Sequence, residues 1–321
     1  MHEHQQITDE FLCALAADTS PDDVLMAEPM SAYTTFKIGG PADVLVTPRT
    51  SEQLVHVLNT CAIAGMPTLV VGNGSDLLVG DRGIRGVVVL LRDNLSKIEV
   101  DAGSWRITAE AGATLRNVAL AAEDAGLTGM EPLWGIPATV GGACFMNAGA
   151  YDGTTSGVLE SIEAYLPGRT NADGSREKGQ MRTFTVDELN MGYRKSRVHD
   201  DGLVVLRATF KLAPGSKPAI RAAMDDYQER RESKQPLEMP SAGSAFKRPT
   251  GYYAGKLIMD AGLSGASVGG AQVSPKHCGF IVNTGGATAR DVRGLIELVQ
   301  KTVYEKFGVE LEPEILMVGE F

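Results

Sequence analysis

Residues 135–151 form a long apolar segment with four glycines, Gly135, Gly141, Gly142 and Gly149, and this segment restricts the fold more than any other part of the chain. Glycine lets the backbone approach a neighbouring group closely, so such a segment can lie against a flat aromatic ring or a pyrophosphate. A purely structural loop is the alternative, but the length of the segment and its density of glycine favour a ligand. The whole chain is also rich in glycine, with 37 of 321 residues, or about 12% against a usual ~7%.

Apolar periodicity divides the chain into helices and strands. Thr50 is a good N-cap with Gln53 three residues on, apolar residues follow at helical spacing, and Gly65 ends the helix. Thr288 begins a helix over 289–307 in the same way. Further helices are predicted over 9–17, from 114 to 126 and from about 218 to 233. Strands are predicted over 42–47, 68–71, 87–91, 98–100, 106–110, 157–165, 203–211 and 309–318.

The length of 321 residues corresponds to two domains at roughly 100–200 residues each. The composition shifts around 214–218, where a charged helix follows, so we expect a domain boundary there. The prediction is an N-terminal leader over 1–30, a first domain over 31–213 and a C-terminal domain over 214–321. The polar stretch 168–182 is expected to be the exposed tip of a hairpin.

The charge of the chain excludes some classes of protein. With 30 basic and 40 acidic residues the net charge is −10, which argues against a nucleic-acid-binding protein. The four cysteines form no CxxC pair and the five histidines are scattered, so no metal site is expected. The polar start is unlike a signal peptide, and no apolar run approaches the ~20 residues of a membrane span. We therefore expect a cytoplasmic protein.

A second glycine cluster, Gly72-Asn73-Gly74-Ser75-Asp76, directly follows a β-branched strand. Successive backbone N–H groups in such a turn can form a nest that binds an anion. An ordinary tight turn explains the residues equally well. Position 77 is leucine rather than glycine and no helical pattern follows at once, which argues against a Rossmann dinucleotide fingerprint.

The third unusual loop is residues 240–249, in which Ser244 stands beside Gly243 and is followed by Lys247 and Arg248. A serine and two cations could donate to an anionic substrate. On this stretch alone, a capping serine with solvated charges is favoured.

Six motifs follow one another along the chain, at 35–43, 72–81, 135–151, 193–196, 243–247 and 311–314. In this order they resemble the UDP-N-acetylenolpyruvoylglucosamine reductase (UDP-N-acetylmuramate dehydrogenase) family, flavoenzymes of peptidoglycan synthesis. The stretches 254–258 and 274–277 are similar to the subclass without the extra tyrosine loop over the substrate. The resemblance covers nearly the whole chain from Thr34 onward.

The resemblance implies an α+β fold: an FAD-binding fold of the p-cresol-methylhydroxylase or vanillyl-alcohol-oxidase type with two α+β subdomains, and a smaller α+β substrate-binding domain. It implies non-covalent FAD, NADPH as reductant and UDP-N-acetylglucosamine enolpyruvate as substrate. We expect a monomer.

By motif, the resemblance implies that Arg194, Ser244 and Glu314 are catalytic. After hydride reaches C3 of the enolpyruvyl ether, Arg194 and Glu314 would stabilise the charge on its carboxylate and Ser244 would give a proton to C2. The implied FAD contacts are Gly72, Asn73, Gly74, Ser75, Asp76, Gly135, Ile136, Pro137, Thr139, Val140, Gly141, Gly142, Ala143, Asn147, Gly149, Ala150 and Tyr151. The implied substrate contacts are Tyr193, Lys234, Lys247, Lys256 and Gln272.

Two positions depart from the family pattern: Leu316 stands where an arginine is usual, and Asp76 where asparagine is common. Two other functions stay open. A related flavin oxidase acting on an alcohol or amine is one, although residues 72–81 contain neither the histidine nor the cysteine that tethers FAD in many of those enzymes. A non-catalytic nucleotide-sugar-binding protein is the other, and the retention of arginine, serine and glutamate together argues against it.

Overall fold

A computed structural model describes residues 7–171 and 173–321. Its α-helices are α1 Asp9–Ala16, α2 Ser51–Ala64, α3 Leu115–Asp124, α4 Val140–Met146, α5 Thr155–Val158, α6 Arg197–Asp200, α7 Lys217–Lys234, α8 Ala254–Asp260 and α9 Ala289–Phe307. Its strands are β1 Val24–Pro29, β2 Pro41–Val46, β3 Thr68–Val71, β4 Leu77–Val79, β5 Ile84–Leu90, β6 Ile98–Asp101, β7 Arg106–Glu110, β8 Leu127–Thr128, β9 Gly149–Ala150, β10 Gly153–Thr154, β11 Leu159–Leu166, β12 Gln180–Thr185, β13 Val204–Lys211, β14 Ala213–Pro214, β15 Ser241–Ser244, β16 Ser267–Val268, β17 Ala271–Val273, β18 Phe280–Asn283 and β19 Leu316–Val318.

The chain forms two compact units. The first contains the described residues up to Met26 together with Val44–Asn73 and Gly86–Glu229, and the second contains Ala27–Asp43, Gly74–Arg85 and Arg230–Phe321. The sequence predicts a leader and two domains, with the limits 1–30, 31–213 and 214–321. Compact units do not test where independently folding domains end, so these limits stay predictions. The compact units differ from them, because two segments of the first half of the chain pack with the C-terminal residues.

In the first unit an antiparallel sheet of strand order β12-β11-β13-β7-β6 carries a core that includes Ile107, Ile162 and Phe210. The short helix α4 contacts β13 and β7 of this sheet. Its buried residues Val140, Ala143 and Cys144 recur at the three- and four-residue spacing of a helix face. The same core extends to the parallel strand pair β3 and β5.

The second unit has its own core, which includes Phe246, Ile281 and Leu295. Its sheet has the order β15-β18-β17-β16, and β19 pairs with β4 in parallel. Helix α9 starts with a capping box, in which the side chains and backbone N–H groups of Thr288 and Asp291 bond reciprocally. Gly308 ends the helix at φ 67°.

Most predicted elements occur where the sequence placed them, with three corrections. The predicted strand 157–165 starts only at Leu159, because Thr155–Val158 is the helical turn α5. The predicted strand 309–318 is reduced to β19, since only these residues find a partner in β4. The predicted leader contains β1, which lies next to β2 in a sheet. The tip 168–182 is mainly exposed among its described residues, as predicted.

No helix within residues 7–171 and 173–321 has both the length and the hydropathy needed to cross a bilayer. In the same part of the chain, no three side chains among His, Cys, Asp and Glu converge as metal ligands.

Candidate active site

The glycine turn after β3 lies against the segment 135–139. A Cβ on Gly72 would come within 2.1 Å of Thr139 Oγ1, so only glycine fits there. Asn73 Nδ2 donates to the Pro137 carbonyl at 2.8 Å. The two glycine-rich motifs singled out in the sequence are thus neighbours around Gly72 and Asn73.

Several backbone N–H groups in these motifs have no acceptor among the described residues. Within the described part of the chain, the N–H groups of Asn73, Gly74 and Ser75 donate to no protein atom. Gly74 has φ 58°, which suits the turned backbone of an anion nest. The N–H of Thr139, a residue only 2% exposed, also has no acceptor among the described residues. Because buried N–H groups are almost always paired, the donors of Asn73 and Thr139 in the first unit fit a phosphate-bearing ligand such as FAD.

The first turn of α4 after its N-cap, residues 140–143, by contrast, offers no free N–H to an anion. The N–H groups of Val140 and Gly141 donate to Ala113 and Ala111 at 2.8 and 2.9 Å. Those of Gly142 and Ala143 bond to Thr139. The sequence prediction grouped these four residues as FAD contacts, and any contact they make must use atoms other than their N–H groups.

Gly142 shows what such a contact could be. A Cβ built on Gly142 would meet only Thr139 Oγ1 at 3.6 Å, an ordinary contact distance, so the protein itself leaves room for a side chain. At Gly141 the added atom would be 3.2 Å from the Ala111 Cβ, which explains that glycine by packing. The open space at Gly142 is a place where a flat ring can lie against the backbone.

The polar side-chain atoms of Asn147 and Tyr151, at the end of the segment, bond to protein. Asn147 is 5% exposed, its Nδ2 donates to the Gly192 carbonyl at 2.9 Å, and its Oδ1 accepts from the Ser156 N–H at 3.0 Å. Tyr151 stacks on Tyr227 with ring centroids 4.8 Å apart. Its hydroxyl donates to the Tyr227 carbonyl. Both residues were predicted as FAD contacts, and their polar side-chain atoms are engaged within the first unit.

Arg194 sits in a tight turn that starts at Gly192. The Gly192 N–H donates to the Lys195 carbonyl at 2.9 Å, and the Lys195 N–H donates back to Gly192 at 3.3 Å. Arg194 occupies the left-handed region at φ 52°, and its guanidinium lies 5.0 Å from the Tyr193 ring. Tyr193 itself is 59% exposed. The turn therefore projects an arginine and an aromatic ring together.

In the second unit the structure brings Ser244 and Glu314 together. Ser244 ends β15, where it pairs with Phe280 of β18. The next residue, Ala245, accepts a hydrogen bond from the Glu314 N–H at 2.9 Å. Glu314 is only 8% exposed. The Ser244 hydroxyl is half-buried and makes no hydrogen bond with any described residue, so it remains available to a ligand.

His277, which closes the motif 274–277 and was not predicted as a site residue, lies just before β18. Its Nδ1 accepts from the Gly279 N–H at 3.1 Å, and burial lowers the pKa of its ring below the usual value. The Ala245 N–H donates to the Gly279 carbonyl, so the segment that contains His277 is close in space to the Ser244 strand. Its neighbourhood to that strand depends on pairing between distant segments, which no local pattern reveals.

The predicted substrate-contact residues differ in whether their side chains already bond to protein. Lys247 pairs with Glu312, and Lys256 Nζ lies 2.7 Å from Asp260 Oδ1. Gln272 Nε2 donates to the Gly265 carbonyl at 3.3 Å. Lys234 is exposed at the end of α7. A role for any of these side chains in binding a substrate remains a prediction.

Two protein-family models together match most of the chain. A family model described as an FAD binding domain matches residues 42–175. One described as the UDP-N-acetylenolpyruvoylglucosamine reductase C-terminal domain matches residues 235–318. The first defines the class: an α+β protein with an FAD-binding domain of the p-cresol-methylhydroxylase or vanillyl-alcohol-oxidase type, as predicted.

Relatives give the family. The chain is 51% identical to a UDP-N-acetylenolpyruvoylglucosamine reductase of Agathobacter rectalis, over 93% of this chain and 95% of the relative. It is 47% identical to the enzyme of that name from Clostridium perfringens, over 97% of this chain and 98% of the relative. A crystal structure of the reductase from Thermus caldophilus matches with a TM-score of 0.75 at 36% identity, covering 92% of this chain and 98% of that one. The chain belongs to the UDP-N-acetylenolpyruvoylglucosamine reductase family.

Proposed function

We propose that this protein reduces UDP-N-acetylglucosamine enolpyruvate to UDP-N-acetylmuramate with electrons from NADPH, in the synthesis of the peptidoglycan precursor. The observation that carries the proposal is in the second unit, where Glu314 bonds through its N–H to Ala245, the neighbour of Ser244, whose hydroxyl has no partner among the described residues; the first unit of the same chain presents Arg194. Since the substrates are a nucleotide sugar and NADPH, we assign the reaction to the cytoplasm.

FAD fits the first unit, because the N–H groups of Asn73 and Thr139 have no acceptor among the described residues and Gly142 leaves space beside α4. When bound, FAD supplies the hydride that NADPH has first given to it. The turn residues Asn73, Gly74 and Ser75 would hold its phosphates. The flavin is non-covalent in this proposal.

Arg194 binds the substrate carboxylate, on which negative charge grows as C3 receives hydride. A fixed guanidinium aimed at developing charge typically lowers the barrier by ~3–4 kcal/mol. Glu314, when it carries a proton or acts through a bound water, hydrogen-bonds the same carboxylate. Ser244 holds the proton that C2 takes up, and a hydroxyl can serve as this acid because the carbanion is strongly basic in a site from which water is excluded.

The experiment is an anaerobic titration of the purified holoprotein. NADPH should bleach the flavin, and UDP-N-acetylglucosamine enolpyruvate should restore the colour with formation of UDP-N-acetylmuramate, identified by mass. UDP-N-acetylglucosamine, which lacks the enolpyruvyl group, is the matched control and should leave the flavin reduced. Bleaching without recovery would reject the proposed substrate.

Acid denaturation of the same sample separates this proposal from the flavin oxidases. All flavin should appear in the supernatant. Flavin that stays on the polypeptide would assign the chain to the covalent oxidases instead.

A further inference from the structure

The Arg194 turn carries backbone strain. Arg194 is a non-glycine residue in the left-handed region, at φ 52°. Such conformations cost on the order of 1–3 kcal/mol and persist only where the surroundings fix them. The hydrogen bonds between Gly192 and Lys195 close the turn but do not tie it to the rest of the unit.

Two buried side chains provide that tie, one on each side of Arg194. Asn147 Nδ2 donates at 2.9 Å to the Gly192 carbonyl, the same atom that closes the turn. Ser196, which is fully buried, donates from Oγ to the Phe145 carbonyl at 2.6 Å. Both bonds end at the C-terminus of α4, whose N-terminus is capped by Thr139.

Asn147 is itself held in one orientation. It is the C-cap of α4 at φ 43°, and its Oδ1 accepts from the Ser156 N–H while its Nδ2 faces a carbonyl. Only one flip of the amide satisfies both partners. The amide therefore acts as a rigid brace between α4 and the Arg194 turn.

We infer that Asn147 is a positioning residue for Arg194: its amide, aided by Ser196, fixes the turn that aims the guanidinium at the substrate carboxylate. The inference rests on the proposed function and replaces the predicted role of Asn147 as a direct FAD contact. A displacement of ~1 Å in a binding group can slow a reaction ~10²-fold. The loss should appear where the carboxylate is used and not where NADPH reduces the flavin.

Asn147→Asp tests the brace with little change of shape. Aspartate tolerates the left-handed conformation and still accepts from Ser156, but it has no N–H to give to Gly192. Flavin content and the rate of flavin reduction by NADPH should stay within about twofold of wild type. Anaerobic reoxidation by the enolpyruvyl substrate should slow by ~10–100-fold.

Asn190→Asp is the matched control. Asn190 also lies in the left-handed region, at φ 45°, four residues before Arg194, but its side chain is exposed. The structure shows no hydrogen bond from its amide to any described residue. Reoxidation in this variant should be unchanged. A similar slowing in both variants would overturn the inference, because backbone strain rather than the amide would then be the cause.

A mutant cycle shows whether Asn147 acts through the arginine. In an Arg194→Ala background, adding Asn147→Asp should slow reoxidation no further, since the group that is positioned has gone. Additive losses would overturn the inference, and so would release of flavin by Asn147→Asp, which would instead make Asn147 a cofactor residue.

Stability is followed by thermal unfolding in every variant. If Asn147→Asp does not fold, Ser196→Ala in the same cycle decides the question, because it removes the second bond and otherwise only the cap bond from the His199 N–H at the start of α6. A wild-type protein whose reduced flavin the substrate does not reoxidise would reject the proposed function itself, which is a different result from a wild-type protein that works beside an Asn147→Asp variant that works equally well.

Discussion

The Arg194 turn and the Ser244 strand hold the proposed catalytic groups in two different ways. Ser244 is held by main-chain bonds: β15 pairs with β18, and Ala245 bonds to both Gly279 and Glu314 through its backbone. The Arg194 turn depends on two buried side chains, Asn147 and Ser196. A backbone ladder survives most single substitutions, whereas a side-chain brace can be removed by one. The comparison therefore predicts that substitution of Ser244 removes its hydroxyl chemistry without moving the backbone. Substitutions around Arg194 should instead displace the guanidinium.

The largest expected effect is that of Ser244→Ala. Because the backbone holds this position, the variant should fold and reduce its flavin with NADPH normally. Reoxidation by the enolpyruvyl substrate should slow by ~10²–10⁴-fold, as is typical for a lost general acid. Stopped-flow absorbance measures the two half-reactions separately.

Ser244→Cys should recover part of the rate, because a thiol can still donate a proton. Ser241→Ala, at the other end of β15, is the matched control and should leave both half-reactions unchanged. Slow flavin reduction with normal reoxidation in Ser244→Ala would mean that Ser244 positions the cofactor. Ser244 would then not be the proton donor.

A second pair of variants separates glycines required by the protein from a glycine required by the ligand. Gly72→Ala forces a Cβ to within 2.1 Å of the buried Thr139 hydroxyl. Overpacking of this kind costs about 1–3 kcal/mol, so thermal unfolding of the flavin-free protein should shift downward.

Gly142→Ala should behave in the opposite way. Its added methyl finds room, and alanine in a helix is favoured over glycine by ~0.5–1 kcal/mol, so the flavin-free protein should not lose stability. Flavin content, measured from the absorbance ratio after purification, should nevertheless fall, because the methyl occupies the space proposed for the ring. Full flavin content in Gly142→Ala would show that no cofactor lies against this glycine.

Local patterns predicted α2 and α9 closely, because their caps and apolar faces lie within the helices themselves. Helix α4 could not be predicted from its residues, since two glycines in seven positions weaken its propensity. It forms because Val140 and Gly141 donate to the chain at 111–113 and because its apolar face packs on β13 and β7.

The candidate site shows the same limit. The family motifs placed Arg194, Ser244 and Glu314 as candidates, but the bond from Asn147 joins residues 45 positions apart. Nothing in the segment 135–151 indicates that its asparagine faces Gly192 instead of a ligand. Ser196 belonged to a recognised motif, and its complete burial was the one property that the motif could not supply.

The smallest expected effect concerns helix α9 of the second unit. Like the Arg194 turn, the start of this helix is held by hydrogen bonds to side chains. Asp291 Oδ2 accepts from the Thr288 N–H at 3.0 Å and from the Gly270 N–H at 3.3 Å. The bond from Thr288 holds the pKa of this carboxyl below its ordinary value of 3.8. The Asp81 carboxylate also accepts from the N–H groups of Ala289 and Arg290 in the first turn of α9. The test therefore changes Asp291 and leaves Asp81 in place.

Asp291→Asn keeps an acceptor and removes only the charge at the helix N-terminus. Because the pKa is lowered by folding, the ionised carboxylate stabilises the fold above the unfolded pKa, and this contribution disappears as the pH falls through the lowered value. The variant should be less stable than wild type by ~0.3–1 kcal/mol near neutral pH. The difference in thermal unfolding should shrink to nothing at acid pH, below the folded pKa. Glu305→Gln, near the other end of α9 in a long ion pair with Lys301, is the control and should change stability by less than ~0.5 kcal/mol. A difference for Asp291→Asn that persists in acid would mean that the substitution disturbs the hydrogen bonds of the cap rather than its charge.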